Sequence, residues 1–199
     1  MNLTQWLRNT FNGLLDCIAA FLLSLGLKPN QVTLLGLAGN IVAAVFIALG
    51  NLTVGGFLVL LMGPIDALDG AMARLRGEPT LYGSFVDSVT DRYSEFFIFG
   101  GLMVYFYTVD DPFSCLLVFL AVAGSVLVSY VRAKAEAVGF NVKDGLLTRV
   151  ERYLVMVPSL IFARPQIALW IIGVLGNMTA LQRILSVRKQ AKLQDKRKE

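Results

Sequence analysis

The chain has 199 residues, of which 56% are hydrophobic, and it carries a formal net charge of +4. Its mean hydropathy of +0.65 is far above that of an ordinary soluble domain of this length. It contains no histidine, which excludes a histidine general base and a histidine-ligated metal site.

The first 27 residues combine apolar positions with interspersed charges, Arg8 and Asp16. This pattern is typical of an amphipathic helix that lies in the membrane interface, with Trp6 as its anchor. A membrane-spanning helix over residues 12–27 is the less favoured alternative, because Asp16 would then lie inside the bilayer. No cleavable signal peptide is expected.

Six apolar stretches follow, and each is expected to cross the membrane as a helix, because about 20 apolar residues span a bilayer. They cover residues 32–50, 53–73, 84–107, 113–134, 150–164 and 166–185. The fifth is the shortest and begins beside charged residues. Short loops between the stretches predict one antiparallel bundle. We therefore expect an all-α integral membrane protein with one domain over 1–199, in which residues 28–187 form the six-helix bundle.

The charged residues between the stretches predict the orientation of the bundle. The loops on one side and both ends of the chain hold nearly all of the lysines and arginines, whereas the other loops hold only Arg164. By the positive-inside rule, both termini of this multi-pass protein of the cell membrane face the cytoplasm. The basic tail, residues 188–199, is interpreted as a solvated end that sets the topology, with no nucleic acid as a partner. Cys17 and Cys115 are interpreted as apolar packing residues.

Four aspartates stand in the apolar region around the second and third stretches. Asp66 and Asp69 are three residues apart, and Asp87 and Asp91 are four apart, so each pair lies on one face of a helix. A turn at 77–79 would let the two helices run antiparallel and bring the four carboxylates together. Carboxylates so placed need a positive neutraliser. Oxygen ligands without histidine or cysteine favour a pair of Mg²⁺ or Mn²⁺ ions, which also bind phosphate substrates.

The aspartates belong to a longer pattern, D-x2-D-G-x2-A-R-x8-G-x3-D-x3-D, which begins at Asp66 and ends at Asp91. This pattern resembles, without a departure, the signature of the CDP-alcohol phosphotransferase family. The segment KPNQVTLLGL, residues 28–37, also resembles the opening of the first span in that family. The resemblance implies that a CDP-linked lipid such as CDP-diacylglycerol gives its phosphatidyl group to an alcohol and releases CMP.

The resemblance also implies roles for individual residues and a homodimer as the assembly. Two divalent ions would be bound by Asp66, Asp69, Asp87 and Asp91. Asp91 would in addition be the catalytic residue, as the general base that takes the proton of the acceptor hydroxyl. The CDP portion would be bound by Asp66, Asp69, Gly70, Ala73, Arg74, Gly83 and Asp87.

Basic residues near the fourth and fifth stretches indicate the acceptor. They are expected to gather on the cytoplasmic side, where a convergent basic group favours a phosphorylated alcohol. The runs SYVRAKAE (129–136) and GLLTRVER (145–152), with a late Gln-Arg pair, resemble phosphatidylinositol-phosphate and archaetidylinositol-phosphate synthases. That resemblance implies inositol phosphate as the acceptor. Its phosphate would be bound by Arg132, Lys134, Arg149, Arg152 and Arg183.

Three alternatives stay open from the sequence. Glycerol 3-phosphate is also anionic, and a basic pocket alone does not separate it from inositol phosphate. A cation transporter would also place carboxylates in the membrane, although it would scatter them along the bilayer depth. A purely structural membrane protein would not need four buried aspartates.

Overall fold

The structure is a computed structural model that describes residues 3–77, 80–142 and 145–195. The description leaves out the side chains of residues 3–12, Asp66 and Asp195. The predictions about the Trp6 anchor, about residues 78–79 of the turn, and about residues 196–199 of the tail therefore lie outside the described residues.

Helices joined by short turns make up the described chain, without a strand among the described residues. Their bounds are α1 Leu3–Ser24, α2 Pro29–Ala48, α3 Leu52–Leu75, α4 Leu81–Thr108, α5 Pro112–Ala137, α6 Arg149–Ile161, α7 Pro165–Ile171 and α8 Asn177–Asp195. A single π-helical turn, Ile172–Gly176, joins α7 to α8 without a break.

Four of the helical segments in the described residues are long and apolar enough to cross a membrane. They are α2, α3, α5 and the continuous segment Pro165–Gln194. The predicted third and fifth spans fall on α4, whose first half carries several charges, and on α6, which has only 13 residues. The described residues are thus all-helical with four candidate membrane spans, and the count of six stays a prediction.

The helices are grouped in two compact units. The first unit consists of Met1–Tyr105 and Leu160–Ala163, and the second of Phe106–Ser159 and Arg164–Glu199. In the first unit, α1 and α2 both pack against α3. Their shared core contains Ala19, Val32, Leu68, Ala71 and Met72. This packing fixes the end of α3 that carries the first pair of aspartates.

Close contact between α2 and α4 depends on a glycine of the first unit. A Cβ added at Gly101 would lie 2.5 Å from the carbonyl oxygen of Ala44. At the neighbouring Gly100, an added Cβ would meet nothing within 4 Å. Glycine is therefore needed at Gly101, where it lets the backbone of α4 approach that of α2.

In the second unit, α5 packs against α7, the π-helical turn and α8. The backbones approach closely at Gly124, where an added Cβ would lie 3.0 Å from the backbone N of Asn177 and 3.2 Å from the carbonyl carbon of Gly176. Asn177 extends this contact, because its Nδ2 donates to the carbonyl oxygens of Leu120 at 3.1 Å and Gly173 at 2.6 Å. The amide thus ties the start of α8 to α5.

Local signals explain where α2 and α5 begin. Each has a proline at its first position, where the missing N–H costs nothing. Asp111 caps α5 by accepting from the backbone N–H of Ser114 at 3.0 Å. Hydrogen bonds from the hydroxyl and then the backbone N–H of Ser114 hold the pKa of Asp111 below its usual value of 3.8. Asp111 is therefore ionised at neutral pH. Its contribution to the stability of the fold is lost only as the pH falls below 3.8, through the lowered pKa of the carboxyl group.

The described part of the predicted tail is helical. The helix α8 continues to Asp195, so residues 188–195 are helical. Gln190 anchors this extension, because its Nε2 donates to the carbonyl oxygen of Asn141 at 2.9 Å.

Candidate active site

The signature aspartates lie on α3 and α4 of the first unit. Asp69 is 6% exposed and Asp91 is 7% exposed, while Asp87 is half-buried. Asp66 lies on α3, one turn before Asp69, and its side chain is outside the description. Burial of two carboxylates is costly unless polar groups or cations compensate for it, so the neighbours of these carboxylates are informative.

Thr33 on α2 is the described neighbour of Asp69. Its Oγ1 donates to Oδ2 of Asp69, and the threonine is itself 5% exposed. Sequence reasoning did not single out Thr33. The signal was present, because Asn30, Gln31 and Thr33 are polar residues near the start of a mostly apolar helix.

Asp91 has a cationic neighbour on its own helix. Nη1 of Arg92 donates to Oδ2 of Asp91 at 3.3 Å and to the carbonyl oxygen of Ser88 at 2.8 Å. The guanidinium is thereby held beside the carboxylate in a charge-assisted hydrogen bond.

The small residues of the signature leave room beside the aspartates. A Cβ added at Gly70 would meet only Nη1 of Arg74, at 3.6 Å. Gly83 lies in the first turn of α4, where its N–H donates to Oγ1 of Thr80 at 2.9 Å. An added Cβ there would lie 3.6 Å from Oδ1 of Asn30. Ala73 is half-buried and Arg74 exposed. Gly83 thus lies beside the first turn of α2 in a tighter position than Gly70, because its added Cβ would also lie 3.0 Å from Oγ1 of Thr80.

The residues present suit hard divalent cations by their donor chemistry. The signature offers only carboxylate oxygens, and the chain has no histidine to compete for a softer ion. Among the described side chains, which do not include Asp66, no group of three or more Asp, Glu or Cys residues is close enough to hold a metal ion. The structure thus places Asp69 and Asp91 in buried positions without gathering the described carboxylates into one cluster, and their convergence stays a prediction.

The basic residues predicted for the acceptor all lie in the second unit, but they differ in burial. Arg152 on α6 is 4% exposed and Arg183 on α8 is 3% exposed. Arg132, Lys134 and Arg149 are exposed. Two arginines are therefore embedded in the protein, where a charged group is retained only with polar partners.

Arg183 is held between two elements of its unit. Its Nη1 donates to the carbonyl oxygen of Val128 on α5 at 2.7 Å. On its other side lies Gly145, where an added Cβ would be 3.5 Å from Nε and 3.6 Å from Nη2 of Arg183. The backbone at Gly145 therefore lies close to the guanidinium of Arg183.

Arg149 and Arg152 stand in the first turn of α6, which has its own cap. Glu151 accepts from the backbone N–H of Thr148 at 2.8 Å, and also from its hydroxyl. This is half of a capping box, so Glu151 fixes the start of the helix.

The exposed basic residues have more ordinary surroundings. Nε of Arg132 donates to Oε1 of Glu136 at 2.9 Å, as a surface ion pair between consecutive turns. Lys134 borders a pocket of about 220 Å³ between α5 and α8. Apolar groups such as Val138, Ile184 and Val187 form most of its wall. Such a wall does not suit a phosphorylated polyol, so the buried arginines are the stronger anion-binding candidates.

Comparison with known proteins extends these observations to the whole chain. Residues 27–182 match the sequence profile of the CDP-alcohol phosphatidyltransferase family. The phosphatidylinositol phosphate synthase of Streptomyces avermitilis is 34% identical over 95% of this chain and 84% of its own length. The archaetidylinositol phosphate synthase of Pyrococcus horikoshii is 31% identical over 90% of this chain and 93% of its own length.

Solved structures agree with the sequence comparison. A crystal structure of the Mycobacterium tuberculosis phosphatidylinositol phosphate synthase with CDP-DAG bound superposes with a TM-score of 0.82, at 29% identity, over 87% of this chain and 92% of the other. The same enzyme in complex with manganese and citrate gives a TM-score of 0.82, at 30% identity, over 87% and 88%. The resemblance read from the sequence is thus confirmed. This chain belongs to the CDP-alcohol phosphatidyltransferase family.

Proposed function

We propose that this chain transfers the phosphatidyl group of CDP-diacylglycerol to a hydroxyl of inositol phosphate and releases CMP. The observation that carries the proposal is the burial of Asp69 and Asp91, at signature positions, in a chain whose relatives include phosphatidylinositol phosphate synthases. A membrane transferase has a use for buried carboxylates. A purely structural membrane protein has no such use. Membership of the CDP-alcohol phosphatidyltransferase family favours a transferase over a cation transporter.

The reaction is a substitution at the lipid-side phosphorus of the diphosphate. The acceptor oxygen forms a new bond to that phosphorus, and the bond from phosphorus to the bridging oxygen breaks. CMP leaves with the electron pair of that bond. We assign Asp91 as the general base that receives the hydroxyl proton, since it is buried and its carboxylate is charge-paired with Arg92.

Two divalent ions, Mg²⁺ or Mn²⁺, are the cofactors that we assign to Asp66, Asp69, Asp87 and Asp91. When bound, such ions neutralise the diphosphate and stabilise the leaving phosphate. Thr33 would orient the carboxylate of Asp69 through its hydrogen bond. The CDP portion would be bound beside the backbone at Gly70 and Gly83, together with Ala73 and Arg74.

The acceptor phosphate would be bound by the buried arginines, Arg152 and Arg183, with Arg132, Lys134 and Arg149 as exposed contributors. Buried guanidinium groups recognise phosphate more strongly than exposed ones, because water screens them less. Glycerol 3-phosphate remains the second candidate acceptor, since it presents the same phosphate.

The remaining membrane arrangement is also part of the proposal. It consists of six spans, an interfacial helix over residues 1–27, one membrane domain over 1–199, cytoplasmic termini and a homodimer. The described part of α1 supports an interfacial position. It packs Leu15 and Ala19 inward while Leu14, Ile18 and Phe21 are exposed, which suits an element covered by lipid on one side.

The test is an acceptor panel. Purified protein would receive CDP-diacylglycerol and Mn²⁺ or Mg²⁺, and CMP release would be compared for inositol phosphate, glycerol 3-phosphate, inositol and serine. The proposal predicts release that depends on both the metal and inositol phosphate. CMP release with glycerol 3-phosphate alone would show that glycerol 3-phosphate is the acceptor instead of inositol phosphate. No CMP release with any alcohol would overturn the proposed reaction.

A further inference from the structure

Thr179 of α8 holds the end of the loop before α6, at Leu147, while Gln190 holds Asn141 earlier in the same loop. This threonine is fully buried, at 0% exposure, and it lies one helical turn before Arg183 on the same face of α8. Its hydroxyl accepts from the backbone N–H of Leu147 at 3.1 Å and donates to the carbonyl oxygen of Leu175 at 2.7 Å. The hydroxyl therefore satisfies a loop donor that is buried with Leu147.

The methyl group of Thr179 makes a second contact with the same loop. A Cβ added at Gly145 would lie 2.4 Å from Cγ2 of Thr179, which no real packing allows. Glycine at this position thus lets the loop backbone rest directly on the threonine methyl. The same glycine borders the guanidinium of Arg183. Thr179 and Arg183 accordingly form one continuous surface against which the loop packs.

The loop leads without a gap into the start of α6. Leu147, whose backbone N–H donates to Thr179, directly precedes Thr148. The backbone N–H of Thr148 in turn donates to the carboxylate of Glu151. Arg152 follows one turn later, and its backbone N–H donates to the carbonyl oxygen of Thr148 at 3.1 Å. A displacement of the loop would therefore move the first turn of α6 relative to Arg183.

We infer that Thr179 is a positioning residue of the acceptor site, which holds the Gly145–Leu147 backbone so that Arg183 and Arg152 bind the acceptor phosphate together. The inference rests on the proposed function and deepens it. Thr179 itself does not touch the acceptor. Its effect is transmitted through the hydrogen bond to Leu147 and through the methyl contact with Gly145.

The experiment compares two substitutions of Thr179 in the full-length protein. Thr179→Val keeps the shape and removes the hydroxyl, which leaves the N–H of Leu147 without its acceptor. Thr179→Ser keeps the hydroxyl and removes the methyl. For T179V we expect the KM for inositol phosphate to rise about tenfold, the size of effect typical of one lost hydrogen bond to a buried donor. The KM for CDP-diacylglycerol and kcat should change little, and T179S should restore most of the acceptor affinity.

A second pair of variants tests the methyl contact. Gly145→Ala places a methyl against Cγ2 of Thr179 and should raise the acceptor KM. The double variant G145A/T179S lacks that Cγ2 methyl and should recover part of the acceptor affinity that G145A loses, while the strain of alanine at the positive φ of residue 145 stays in both variants. A purely structural role for Thr179 predicts a different result, in which kcat and both KM values worsen together with the melting temperature. That result would overturn the inference.

A binding measurement separates this inference from the proposed reaction. Calorimetric titration with inorganic phosphate needs no turnover, and it can be made on wild type, T179V and T179S. Weaker phosphate binding by T179V alone supports the positioning role even if the wild type shows no transferase activity. Equal phosphate binding by the wild type and T179V, with an unchanged acceptor KM, would contradict the positioning role while leaving the transferase assignment intact.

Discussion

At the scale of single residues, the proposed reaction depends on two buried aspartates, Asp69 and Asp91. Asp69 and Asp91 could be singled out from the sequence, because their spacing and apolar flanks are visible there. The partners of these residues could not be derived in the same way. The bond from Thr33 to Asp69 joins residues 36 positions apart, and only the packing of α2 on α3 brings them together.

Asp91→Asn should lower kcat at least about 100-fold, because an amide does not accept the hydroxyl proton. The variant should keep its melting temperature within a few degrees of the wild type, since the side-chain shape is unchanged. Asp110→Asn is the matched control, as Asp110 is an exposed aspartate in the turn between α4 and α5. Activity of D91N at the level of D110N would remove Asp91 from the mechanism.

Thr33→Val should raise the Mn²⁺ concentration needed for half-maximal activity by about tenfold. Loss of a partner that orients a metal-binding carboxylate typically costs this much in metal affinity. Metal titrations of CMP release would measure it, with Thr33→Ser as the variant that keeps the hydroxyl. Identical titration curves for T33V and the wild type would mean that the hydrogen bond to Asp69 does not serve the metal site.

Arg183→Lys should raise the KM for inositol phosphate about tenfold while leaving that for CDP-diacylglycerol unchanged. Lysine keeps the charge but loses the planar guanidinium, which donates to the carbonyl of Val128 and which the proposed function also requires for phosphate binding. Arg164→Lys provides the control at an exposed arginine outside the site. An equal rise of the KM values for inositol phosphate and CDP-diacylglycerol in R183K would argue against a specific contact between Arg183 and the acceptor.

At the scale of elements, the sequence predicts helix starts better than helix interiors. Pro29 and Pro112 mark the beginnings of α2 and α5, because proline is favoured at the first position of a helix, although Pro64 and Pro158 lie inside α3 and α6. The π-helical turn at Ile172–Gly176 has no comparable signal. It occurs where Gly176 packs on Gly124 and Asn177 binds α5, so it depends on a tertiary contact that periodicity does not reveal.

The close contact between α2 and α4 gives a prediction from two adjacent glycines. Gly101→Ala should destabilise the protein by about 1–3 kcal/mol, because the new methyl meets the backbone oxygen of Ala44. Gly100→Ala, with open space around it, should be neutral or stabilising by about 0.5–1 kcal/mol, because alanine favours the helix. Thermal unfolding in detergent would compare them. A G101A protein as stable as G100A would refute the tight packing.

At the scale of the whole molecule, composition and the signature predict an all-helical membrane transferase, and the family comparison confirms that reading. The number of spans is harder to predict, because α4 combines an apolar half with a charged half. Under the proposed function these charges belong to the active site, and a membrane-crossing α4 stays a prediction that hydropathy alone does not make.

The central claim concerns which alcohol receives the phosphatidyl group, and a competition experiment tests it most directly. Purified protein in mixed micelles with CDP-diacylglycerol and Mn²⁺ would receive equal concentrations of inositol phosphate and glycerol 3-phosphate, and mass spectrometry would identify the lipid formed. The account predicts phosphatidylinositol phosphate as the dominant product, absent when D91N replaces the wild type. Phosphatidylglycerol phosphate as the main product would contradict it.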